Sequence, residues 1–122
     1  MKYFSILLIA LLTSCSGSET YRGKWKATNI DGIKMEITFQ EKNFTIKSAN
    51  DYKDYSYTQN SINITNGVKT YGVRLGDGRS YHIHFPISQD ESIGFIKDEM
   101  GNVLYTISRH SYLNQNEVYA LD

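Results

Sequence analysis

Residues 33–39, Ile-Lys-Met-Glu-Ile-Thr-Phe, alternate apolar and polar side chains without a break. Successive side chains on a strand point to opposite faces, so this period of two fits a half-buried strand and no helix. It predicts Ile33, Met35, Ile37 and Phe39 against a core, with Lys34, Glu36 and Thr38 in water. The same period recurs along the chain. Further strands are expected at 23–29 around Trp25, and at 44–47, 55–58, 62–65, 68–75, 79–85, 93–97 and 103–109. Turn signals separate them. Asn66-Gly67 supplies the two left-handed residues of a type I′ hairpin, and Asp31-Gly32 suits another two-residue turn. Gly76-Asp77-Gly78 and residues 98–102 also read as turns, and Pro86, which lacks an N–H, ends its strand.

The fold expected is all-β, a small antiparallel up-and-down meander of about eight or nine strands. Strands with one apolar face must bury it, by closing into a barrel or by folding into a sandwich. Closure removes exposed edges and so favours a closed or nearly closed barrel. Ten tyrosines and a single proline suit that reading. Residues 111–122 show no period and are expected as a fraying tail, a short helix or a strap across an open end.

The N-terminus carries a different signal. Lys2 precedes an almost unbroken apolar run from Phe4 to Leu12, closed by Thr13-Ser14-Cys15. A charged start, a short apolar core and small residues at the end are what a secretory signal requires. Spanning a bilayer takes roughly 20 apolar residues, so the run is too short to remain as an anchor. Leu12-Thr13-Ser14-Cys15 resembles the lipobox of bacterial lipoproteins. That resemblance implies removal of residues 1–14, lipid on Cys15, and membrane attachment through that lipid alone. Residues 15–20 would then be the lipidated cysteine and a flexible tether, 21–110 the domain and 111–122 the tail. The tether lacks the acidic run that exports some such lipoproteins to the surface. The expected location is therefore the outer membrane, on its periplasmic face.

Cys15 is the only cysteine, so the domain must be stable without disulfides. The chain has 13 basic and 13 acidic side chains, and losing Lys2 with the leader leaves the remainder one unit negative. No basic patch is apparent, which argues against nucleic acid as a partner.

Two short patterns carry a family resemblance. Gly23-Lys24-Trp25 resembles the Gly-x-Trp signature of lipocalins and the wider calycin superfamily. Tyr21-x-Gly23-x-Trp25-Lys26 is similar to the opening of small lipocalin-like lipoproteins of Bacteroidetes. Asp98-x-x-Gly101-Asn102-x-Leu104-Tyr105-x-Ile107-x-Arg109 is similar to their closing hairpin. The resemblance implies that Gly23, Trp25 and Arg109 close one end of a barrel, the indole packing against the arginine of the last strand. It also implies a possible small apolar ligand inside. A barrel of about eight strands is only just wide enough to be filled by its own side chains or to hold one small ligand, and the strands here are short, so a packed interior is at least as consistent.

Chemistry-bearing residues are sparse. His82 and His84 share one strand face but lack an adjoining carboxylate, and the apolar set Tyr81, Ile83 and Phe85 faces the other way. They read as the solvent side of an amphipathic strand, so no metal or other cofactor is expected. No serine sits in a Gly-x-Ser-x-Gly turn, and Asp51, Asp54, Asp90 and Glu91 read as solvated loop carboxylates. The expectation is a non-catalytic envelope protein acting by binding. Tyr52, Tyr55 and Tyr57 cluster beside a polar loop and suggest a surface for a protein partner. Such a partner would suit an accessory lipoprotein of a secretion apparatus or an inhibitor of an envelope hydrolase. The competing expectation is a carrier of a small apolar molecule in the barrel interior.

Overall fold

A computed structural model describes residues 17–121; the expected leader and Cys15 lie outside the described residues. Eight antiparallel strands follow one another as β1 Gly23–Asn29, β2 Lys34–Phe39, β3 Asn43–Lys47, β4 Tyr52–Thr65, β5 Val68–Leu75, β6 Ser80–Phe85, β7 Ile93–Lys97 and β8 Val103–Ser108. Each pairs with the next, and β8 returns to β1, closing the barrel. The closing register runs from Lys26 opposite Ser108 to Asn29 opposite Tyr105. The expected all-β closed barrel is therefore the observed fold.

The strand count differs from nine for one reason. Residues 55–58 and 62–65, expected as two strands, belong to the single 14-residue β4. Gln59, Asn60 and Ser61 resemble a loop in composition, but an irregularity in register between Gln59 and Ser61 bends the strand and lets pairing with β5 continue.

Turn chemistry sets the remaining geometry. Asn66 and Gly67 have φ of 53° and 79°, the type I′ pair expected there. Asp31-Gly32 is not a two-residue turn. Gly32 N–H donates to Asn29 O and Asn29 N–H to Ile33 O, which makes a three-residue loop with Gly32 left-handed at its end. Leu75 to Arg79 and Asp98 to Asn102 repeat that pattern. The longer loop puts Ile33 at its base, 54% exposed, rather than against the core as expected. Within β2 the alternation holds: Met35, Ile37 and Phe39 are buried.

Inward-facing Trp25, Ile37, Phe39, Phe44, Ile83 and Ile107 fill the barrel. The void among Ile37, Phe44, Val73, Tyr81, Ile83, Ile96 and Tyr105 is only about 10 Å³. Gly94 lets two strands meet closely; a Cβ there would lie 2.9 Å from His84 O and from the Phe85 ring. The tail forms α1, Gln115–Tyr119, with the Asn114 N–H donating to Glu117 Oε1 at 2.9 Å. Val118 is buried and the Tyr119 ring lies 5.5 Å from that of Phe95. Phe95 and Thr106 face outward from the barrel yet are buried. The short helix thus braces the outer wall, and it is the helical one of the three expected outcomes.

Candidate functional site

An up-and-down barrel sends alternate connections to opposite ends. The start of β1, the β2–β3, β4–β5 and β6–β7 connections and the end of β8 share one end, here the N-terminal end. The other four connections share the distal end. The two ends differ chemically.

The N-terminal end is sealed. Gly17 N–H donates to Glu41 O at 2.8 Å, and Arg22 holds Gly17 O with Nε and Nη2 at 2.9 and 2.6 Å. Tyr21 then drops into the barrel, fully buried, its ring 5.2 Å from Phe39 and 5.1 Å from Tyr71. Its hydroxyl donates to Gln59 Oε1 at 2.6 Å, which also accepts from the Ser18 N–H and hydroxyl. Trp25 Nε1 donates to Tyr21 O at 2.8 Å. Arg109 completes the seal: its guanidinium carbon lies 3.7 Å from the Trp25 ring centroid. Its Nη1 donates to Lys24 O, and its Nη2 to Thr20 O and Arg22 O. Gly23, with φ of 97°, turns the chain between these carbonyls. The structure thus brings Gly23, Trp25 and Arg109 together, in a structural role.

Tyr52, Tyr55 and Tyr57 do not form one surface. A strand period of two separates Tyr52, 64% exposed, from Tyr57, which points inward at 2%. The Tyr57 hydroxyl donates to Gln40 O, and burial pushes its pKa up to about 12. Tyr57 is therefore withdrawn from the expected partner surface. Tyr55 is half-buried at the distal end, stacked 5.2 Å from Phe44.

The distal end gathers residues that lie apart in sequence. The Arg79 guanidinium sits 5.3 Å from the Tyr55 ring and 5.6 Å from the Tyr81 ring, and donates to Tyr81 Oη at 2.9 Å. Asp77 grips it through Nε and Nη2, the latter at 2.7 Å. Those hydrogen bonds hold the Asp77 carboxyl below its ordinary value and the Arg79 guanidinium above its own. Tyr105 joins from β8; burial first, then Tyr81 and Tyr55, raises its pKa. Beside them a shallow depression of about 270 Å³ is lined by Arg79, Tyr81, Asp98 and the exposed Met100. The sequence offers Tyr81 and Tyr105 only as two of several amphipathic tyrosines, outside the expected partner cluster, and gives Arg79 no role. The alternation 81, 83, 85 put Tyr81 inward, but only closure sets it against β4 and β8.

Other candidates are weaker. A cleft of about 330 Å³ separates the β1–β2 turn from α1, and the Thr28 hydroxyl lining it is buried without a hydrogen-bond partner among the described residues. One hydroxyl does not define a ligand class. His82 is exposed, while His84 is half-buried with Nδ1 2.7 Å from Thr70 Oγ1; burial, then Lys97, lowers its pKa. Among the described residues no three His, Cys, Asp or Glu groups converge on a possible metal position. Comparison with family models, with characterised proteins and with solved structures finds no match.

Proposed function

We propose that this chain is a lipid-anchored envelope protein that acts without catalysis, by binding a protein partner through the distal end of its barrel. The observation that carries this reading is the contrast between an interior filled, among the described residues, by its own side chains and an amphipathic rim. A void of about 10 Å³ is one water in size, far below the ~300 Å³ at which ligand pockets begin. That favours the outer surface over carriage of an apolar molecule. The rim of Tyr55, Tyr81, Tyr105 and Arg79, with exposed Met100 beside it and exposed Tyr52 at the same end of the barrel, has the residue types enriched at the centres of protein interfaces.

Polarity along the chain supports the same arrangement. Gly17, two residues beyond Cys15, is fixed at the N-terminal end. Lipid on Cys15 would hold that end at the membrane, with the rim at the opposite end of the barrel. This orientation suits an accessory lipoprotein of a secretion apparatus or an inhibitor of an envelope hydrolase.

The anchoring half is tested by Cys15→Ala. It is expected to abolish palmitate incorporation and release the protein from membranes, and persistent labelling overturns it. The binding half is tested by Arg79→Ala and Tyr52→Ala. Both are expected to weaken co-purification of the partner while leaving the β-sheet circular dichroism unchanged. Partner recovery equal to that of the parent chain would contradict the reading.

A further inference from the structure

The longest strand is also the least protected. β3 pairs with β4 only as far as Asn43 opposite Ser56, so residues 57–65 of β4 overhang their neighbour. On that side Tyr57 N–H is taken by Lys42 O, and beyond Gln59 no backbone partner is found among the described residues. Every residue from Asn60 to Thr65 is exposed, Ile62 and Ile64 at 54% and 59%. Edge strands are ordinarily blunted with charge or proline. Between Asp54 and Lys69 there is neither.

The hairpin fixes which groups are free. Thr65 and Val68 close the two-residue Asn66-Gly67 turn, so they form a hydrogen-bonded pair, and Asn63 and Ser61 follow at the same period. The N–H and C=O groups of Ile62 and Ile64 therefore point away from β5, to the open edge. The sequence there, Ser61-Ile62-Asn63-Ile64-Thr65, is close to a palindrome about Asn63.

We infer that the overhanging edge of β4 pairs with the same edge of a second copy, antiparallel about a two-fold axis at Asn63. In that register Ile62 of each copy faces Ile64 of the other as a hydrogen-bonded pair, filling all four free groups on each strand. The four isoleucine side chains then fall on one face, and Asn63 meets its twin at the closest-approach position. The absence of charge from 55 to 68 removes the repulsion that two identical edges otherwise meet. A bilayer is the less suitable occupant, because hydrocarbon leaves the same N–H and C=O groups unpaired. A ladder this short buries much less than the ~1,600 Å² of a standard interface, so the dimer is weak and forms where chains are concentrated.

The test is cysteine cross-linking of the full chain, both in membranes and purified in detergent at high concentration. The parent chain, with Cys15 as its only cysteine, sets the background. Asn63→Cys is expected to give a disulfide-linked dimer on mild oxidation. Ser61→Cys is expected to give none above background, because its twin lies about 14 Å along the ladder, outside disulfide reach. Adding Ile64→Pro to Asn63→Cys removes only the outward N–H, leaves the β5 ladder intact, and is expected to cut the cross-link at least tenfold. A monomeric Asn63→Cys, or equal cross-linking of Ser61→Cys, overturns the pairing. So does a spin label at position 63 that reports contact with lipid in place of a second label.

Discussion

Arg109 and Trp25 meet at the sealed end of the barrel, the guanidinium carbon 3.7 Å from the ring centroid. The same guanidinium ties three backbone carbonyls, of Thr20, Lys24 and Arg22, so it joins the end of the chain's last strand to the beginning of its first. A lysine offers a point charge where this arrangement needs a planar fork.

Trp25→Ala is expected to cost about 3–5 kcal/mol, the range for emptying a large aromatic from a core. Arg109→Ala is expected to cost about 2–3 kcal/mol through its charged hydrogen bonds, and Arg109→Lys to restore little of it. Denaturant midpoints check all three. An unchanged midpoint in either alanine variant contradicts the closing role.

Alkali is expected to unfold the protein from this same end. Tyr57 is raised to about 12, and Tyr21 is raised as well, burial being the largest cause for both. The folded state disfavours the phenolate, so the unfolded chain releases these protons first, near the ordinary value of 10.0. Stability from the pair is intact below about pH 10 and lost as pH rises toward 12. Phenolate absorbance from Tyr21 and Tyr57 is expected only with unfolding, and Tyr21→Phe is expected to move the transition to higher pH. Ionisation of both near pH 10 with the fold intact would contradict the burial.

Gly94→Ala is expected to destabilise by about 1–3 kcal/mol, the usual cost of overpacking, since its Cβ meets a backbone oxygen and an aromatic ring at 2.9 Å. Thermal unfolding reads this directly. A neutral result means that β6 and β7 separate more easily than their packing implies.

Much of this architecture was legible because it is local. The period of two in β2 and the Asn66-Gly67 turn each depend on a few adjacent residues. The Gly-x-Trp resemblance led to Arg109 through family likeness, not through any pattern linking positions 25 and 109. The misreadings have physical causes. Tyr52, Tyr55 and Tyr57 are close in sequence, but strand geometry and closure send Tyr57 inward. Gln59, Asn60 and Ser61 fall between two expected strands because polar composition does not distinguish a bulged strand from a break. The distal rim fails to emerge as a group for a third reason: Tyr55, Tyr81 and Tyr105 come from β4, β6 and β8, and only the closed barrel assembles them.

Binding at that rim is tested most directly by photo-cross-linking in intact cells. A photoreactive side chain is placed singly at Tyr52, at Met100, and at Lys24 near the sealed end, all three exposed. Adducts to one discrete protein are expected from Tyr52 and Met100, absent from Lys24, and lost on Arg79→Ala. Adducts from Lys24 alone, or equally from all three positions, would contradict the account.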